Sequence, residues 1–251
     1  MASIFLALPY TKPDTRDFTI SLAKFMSGSS REIDKIIWKN AYGLDHAGSR
    51  NYLIESWKLD KTDYLLFVDN DCVFPAGAVE RLVERNKPII CGGMFTKTIP
   101  PRPTIGIYMG ADKDGKDHYS FEEYGNSIIH YAHAHNKFSI PENAYLFPKG
   151  NNSDDLMKCD ACGMHFTLIR KDVLETIKPP YFVMMGKSGA GEDFYFCKKA
   201  REAGFDIYTD KSVQTGHCAG ETYDFGLREL LILNEMVTKG VIFESNMLRS
   251  G

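Results

Sequence analysis

Short apolar runs separated by polar turns alternate along this chain with stretches whose apolar residues recur at helical spacing. Residues 3–8 form one such run, stopped by Pro9, and Leu65, Leu66, Phe67 and Val68 form another. Both runs are unbroken by polar positions, so each reads as a strand buried on both faces, as in a parallel sheet. Further strands are predicted at 36–38, 88–91, 205–208 and 212–215, with a strand-rich segment at 157–169 interrupted by Gly163. Helices are predicted at 14–26 capped by Asp14, at 49–57 with Arg50 and Asn51 in the first turn, and at 75–85 opened by Pro75. Three more follow at 171–177, at 192–203 closed by Gly204, and at 224–238. The pattern is that of an α/β fold.

Residues 110–155 are the least regular part. Asp112 to Asp117 reads as a hairpin tip and 150–155 as a polar loop. An insertion or lid over about 110–155 is expected, because long connections in compact domains serve function or move. It holds His118, His130, His133 and His135. His133 and His135 on one strand face would suit a metal pair, against the plain alternative of surface histidines.

The run at 65–68 ends in Asp69-Asn70-Asp71. In an extended segment Asp69 and Asp71 share a face, and ligands of open α/β sheets gather beyond the carboxyl ends of strands. Two carboxylates repel unless a cation shares them. Mg2+ or Mn2+ is the natural occupant and would hold a substrate phosphate, a solvated acidic turn being the plain alternative. Arg50 opposes the dipole at a helix start, which makes it a candidate for gripping an anion. Gly92 and Gly93 follow a strand and permit close approach of a ligand or of another chain segment. Gly186-Lys187-Ser188 resembles the tail of a phosphate-binding loop, but position 181 is Tyr where the loop needs glycine, so that reading is rejected.

Composition narrows this further. The 251 residues suit a single domain, 1–251, and a net charge of -3 gives no general attraction to nucleic acid or anionic lipid. No apolar run reaches membrane-spanning length, and the N-terminus lacks a signal peptide's basic start and cleavage site, so a cytoplasmic protein is expected. The six cysteines are scattered and read as reduced thiols. Cys159-x-x-Cys162 has no second pair and reads as buried small residues, not a zinc knuckle.

Three motifs in order resemble the nucleotide-sugar-dependent glycosyltransferases of the GT-A fold, particularly the family 2-like group. Asp69-Asn70-Asp71 after a buried strand looks like the family's Asp-x-Asp. Gly191-Glu192-Asp193 opening a helix, followed by Gly204 and a strand, is similar to its acidic pair. Gly216-His217 looks like the histidine that completes its metal site. The resemblance covers roughly 45–220 and implies a mixed, mostly parallel central sheet flanked by helices. It implies a metal-dependent enzyme, with Mn2+ or Mg2+, that moves a sugar from a nucleoside-diphosphate donor to an acceptor hydroxyl. The acceptor class stays open among glycan, protein, small molecule and modified nucleic acid.

On this resemblance Asp71 and His217 ligate the ion, and Asp69 contacts it through water or reaches the ribose. Arg50, Asp69, Asn70, Gly92, Gly93 and Lys97 lie on the donor side. Asp193 is the base and Glu192 orients or binds the acceptor, or the two exchange roles, and both acids would also serve as plain helix caps. With Asp193 as base the displacement would be direct and inverting, while some related GT-A enzymes retain configuration. The first strand shows no clear uracil-reading acid, a departure from the family pattern. Two alternatives are a haloacid-dehalogenase-like phosphatase using Asp69 and Asp71, and a catalytically silent nucleotide-binding module on the same scaffold. The phosphatase family places its motif on the opening strand and its acidic pair at a strand end, whereas Glu192 and Asp193 start a helix.

Overall fold

Strands that bury both faces need helices on both sides, and the chain supplies them in alternation. A computed structural model describes residues 1–10, 13–28, 30–97, 102–134, 155–184 and 191–218, with the backbone alone at 129–134 and 224–225. The chain begins β1 (Ala2–Tyr10), α1 (Arg16–Ser27), β2 (Ile33–Tyr42), α2 (His46–Asp60) and β3 (Tyr64–Val68). It continues β4 (Cys72–Val73), α3 (Ala78–Arg85), β5 (Ile89–Gly93), β6 (Ile105–Ala111), β7 (Asp117–Ser120) and α4 (Glu122–Ala134). Then come β8 (Leu156–Cys159), β9 (Ala161–Cys162), β10 (Phe166–Arg170), α5 (Lys171–Thr176), α6 (Glu192–Glu202), β11 (Ile207–Gln214), β12 (Gly216–Cys218) and β13 (Asp224–Phe225). None of the described helices is long and apolar enough to cross a membrane.

The central sheet has the order β2-β1-β3-β10-β5-β11-β8. β10 and β8 run against the other five strands, so the sheet is mixed and mostly parallel. Alternation along β1 and β3 divides the core. Phe5, Ala7, Leu65 and Phe67 pack with Leu53, Ile54 and Trp57 of α2 and Phe196 and Ala200 of α6. Ile4, Leu6, Leu66 and Val68 pack on the other face with Phe18 and Phe25 of α1 and Val79 and Leu82 of α3. Two small sheets flank this body, β13-β12-β4 and β7-β6-β9.

Several sequence expectations are corrected. Thr15, not Asp14, caps α1, accepting from the Phe18 N–H at 3.3 Å. α2 starts at His46 behind an Asp45 cap, so Gly48 is helical and Arg50 sits past the first turn. The strands expected at 205–208 and 212–215 are one strand, β11, with a register irregularity between Asp210 and Gln214 against β5. Residues 105–134, illegible in part from sequence, form the β6–β7 hairpin and α4. His133 is therefore helical and not on a strand, while His135 and the rest of the expected lid to 154 lie outside the described residues. Residues 224–225 are a strand where a helix was expected. The remainder of that helix and the loop at 186–190 also lie outside the described residues.

The β11 irregularity has a buried consequence. Asp210 accepts from the Ser212 N–H and hydroxyl at 2.9 and 2.5 Å and from Arg85 Nε at 2.7 Å. Asp155 accepts from Arg81 at 2.6 Å and Arg85 at 2.8 Å. Two arginines of α3 thus neutralise two fully buried aspartates at the sheet edge. Breaking such a network strands the remaining charge, so Asp155→Ala is expected to lose about 3–5 kcal/mol in urea denaturation. A loss below about 1 kcal/mol would mean that water reaches the network.

Candidate active site

Asp69 to Asp71 leaves β3 as a turn, not as extended chain. The Asp69 N–H donates to the His165 carbonyl at 2.9 Å, and the Cys72 N–H closes the turn on the Asp69 carbonyl at 3.0 Å. The two aspartates therefore do not share the face that strand alternation would give them, and each meets its own cation. Arg50 Nη2 forks onto both oxygens of Asp69 at 2.9 and 3.2 Å, and its Nη1 binds Glu192. Lys97 binds Asp71. Asn70 is buried, with its amide donated to Asp14 at 3.3 Å, which ties the turn to the start of α1.

His217 is delivered by sheet pairing. β12 pairs β4 in antiparallel register, His217 opposite Cys72, which sets the imidazole beside Asp71. Its Nδ1 hydrogen-bonds the Phe95 carbonyl at 3.0 Å, and Nε2 lies 3.3 Å from Asp71 Oδ2. This backbone bond on the far nitrogen is the usual support of a metal-binding histidine.

Glu192 and Asp193 open α6, as expected from sequence, and Gly191 precedes them for a steric reason. A Cβ on Gly191 would stand 2.6 Å from Asp193 Oδ1. Asp193 accepts from the Phe194 N–H at 2.9 Å. Burial raises its pKa to about 6, with Arg50 pulling down and Glu192 pushing up. The helix is braced from behind. Phe196 stacks on Phe182 at 5.0 Å, and Phe182 meets Phe67 of β3 at 5.7 Å. Asn51 holds Phe182 through its backbone carbonyl at 2.7 Å and N–H at 3.1 Å.

These side chains surround one cavity of about 440 Å³, lined among others by Arg50, Asp69, Asn70, Asp71, Lys97, Glu192, Asp193 and His217. Gly92 and Gly93 are not in its wall. A Cβ on Gly93 would lie 2.1 Å from the Tyr124 hydroxyl, and one on Gly92 3.0 Å from Val213, so these glycines admit neighbouring chain segments. Six described cysteines are free and buried. Burial pushes the Cys159 thiol well above the usual range, and hydrogen bonding to Cys197 and Cys91 does the same for Cys162, as structural thiols require.

No protein-family model matches the chain, and no curated protein matches it in sequence. Solved structures do match. The crystal structure of A197 from STIV is similar over 90% of this chain and 90% of its own, at TM-score 0.55 and 19% identity. That of GalNAc-T7 with UDP, GalNAc and Mn2+ is similar over 86% of this chain, at TM-score 0.51 and 9% identity. The fold is similar to that of GalNAc-T7. The matched part is 44% of GalNAc-T7, so this chain spans less than half of it, and at these identities the likeness is one of fold alone.

Two cavity residues escape sequence reasoning. His46 is the first residue of α2 and His165 precedes β10. His165 is buried, its Nε2 has no hydrogen-bond partner, and burial lowers its pKa to about 4. Gly163 was the available signal: a Cβ there would sit 2.7 Å from His165 Nδ1. Asp71 and His217 bring one carboxylate oxygen and one imidazole nitrogen, held from its far side by the Phe95 carbonyl, within 3.3 Å of each other. Among the described residues no group of three or more His, Cys, Asp or Glu is arranged around a cation. The pair would suit Mn2+ or Mg2+ in donor type but is short of a full set of protein ligands.

Proposed function

We propose that the protein is a glycosyltransferase that moves a sugar from a nucleoside-diphosphate donor to an acceptor hydroxyl with inversion. One observation carries the reading: a supported Asp71–His217 pair and a carboxyl raised to about 6, Asp193, line the same cavity. The fold shared with GalNAc-T7, crystallised with UDP, GalNAc and Mn2+, supports the donor class and the cation.

Asp71 and His217 would hold Mn2+ or Mg2+, which when bound supplies Lewis-acid stabilisation of the charge developing on the departing diphosphate. Lys97 and Asn70 stand on the donor side, and Asp69, oriented by Arg50, takes the ribose or a bound water. Asp193 accepts the proton of the acceptor hydroxyl while its oxygen attacks the anomeric carbon. The anomeric C–O bond to the diphosphate breaks, and the nucleoside diphosphate departs with that electron pair. Glu192, fixed by Arg50, orients the acceptor. A phosphatase would need Asp69 free to attack phosphorus, whereas the Arg50 fork engages both of its oxygens.

Incubation with Mn2+ and a panel of nucleotide sugars should release nucleoside diphosphate slowly even without acceptor. Release of inorganic phosphate from sugar phosphates would instead indicate a phosphatase. Nucleotide binding with no product of either kind would indicate a silent module.

A further inference from the structure

We infer that Lys97 is the resident cation of the Asp71–His217 half-site, holding the carboxylate until a divalent ion and a nucleoside diphosphate arrive together, and then passing to the donor phosphates. This rests on the cation reading above. Lys97 Nζ binds Asp71 Oδ2, the same oxygen that lies 3.3 Å from His217 Nε2. The Asp71 side chain is 9% exposed and that of Lys97 25%, so a largely buried carboxylate is met by an ammonium that still borders the cavity.

A largely buried carboxylate without a counter-charge is costly. Lys97 fills that need in the ligand-free protein. A divalent ion seated on Oδ2 and Nε2 would share its oxygen with the ammonium, and like charges at contact distance in a partly buried site repel strongly. The ion alone therefore competes with Lys97. A diphosphate reverses the balance by giving the ammonium new acceptor oxygens in the cavity while completing the ion's coordination. Lysine suits this transfer, being a compact charge on a flexible stem. Ion and nucleotide then favour each other by the same factor in either direction.

Titration with Mn2+, followed by the EPR signal of the free ion, reads this without turnover. In the absence of nucleotide, Lys97→Met is expected to bind Mn2+ at least about tenfold tighter than wild type, and Lys97→Arg no tighter. Lys97→Gln repeats the comparison should the Met variant fold poorly. With UDP, or GDP presented separately, wild type should gain Mn2+ affinity and Lys97→Met should gain less. Unchanged or weaker nucleotide-free binding by folded Lys97→Met overturns the role of the lysine. If Asp71→Asn still abolishes binding in that case, the cation reading survives. Absence of Mn2+ binding in wild type and Lys97→Met under every condition overturns both.

Discussion

Asp193→Asn is expected to lower turnover by about 10²–10⁴-fold, the usual worth of a positioned general base, while leaving donor affinity within about twofold. The base must be ionised to accept a proton, and burial holds its pKa at about 6. Wild-type turnover should therefore rise with pH and level off above about 6. That limb should vanish from the residual activity of the variant. Equal kcat in wild type and variant would remove Asp193 from the chemistry.

The same group links stability to pH, with the opposite benefit. Its folded pKa, about 6, lies above the ordinary value of 3.8, so the folded state binds the proton more tightly than the unfolded chain. Stability from Asp193 is therefore present at low pH and is lost as pH rises from 3.8 through about 6, by about 3 kcal/mol. Asp193→Asn should escape that loss and be more stable than wild type at pH 7.5 in urea denaturation, while nearly inactive. His165 acts in the other sense. Its pKa falls from 6.5 to about 4, so stability is lost as pH drops through that window, when the unfolded chain takes up a proton the folded one refuses. The two slopes largely cancel in wild type between pH 4 and 6. The Asn variant should leave the His165 slope without that opposing contribution.

How much of this was legible follows from what each residue's signal depends on. The 65–68 run and the acids opening α6 are local patterns, and they stand where periodicity and capping placed them. The seven-stranded order with β10 inserted antiparallel between β3 and β5 depends on pairings distant in sequence, which no local window carries. The sequence marks Arg50 as a candidate for gripping an anion. Its anions are the protein's own Asp69 and Glu192, the latter 142 residues away. Gly92 and Gly93 signalled close approach correctly in kind, but the approaching group is Tyr124 and the β11 segment. His165 lies in an apolar strand-like stretch, and only Gly163 beside it marked the position as unusual.

Arg50→Met should have the second large effect, because this buried guanidinium is shared by three carboxylates. It bonds Asp69 and Glu192 and lowers the Asp193 pKa by its charge. Without it the three acids lose that counter-charge in a largely buried site. Folding stability is expected to fall by about 3–5 kcal/mol in urea denaturation. The acid limb of turnover should move upward from about 6, since the Arg50 charge no longer opposes protonation of Asp193. Arg50→Lys should rescue little, as one ammonium lacks the planar fork that reaches two carboxylates on different elements. If crowding of acids is the cause, Glu192→Gln added to Arg50→Met should recover part of the lost stability, a coupling that a double-mutant cycle measures. Additive losses in that cycle would mean that Arg50 acts by packing against Phe182, over whose ring its guanidinium lies at 5.9 Å, and not by charge.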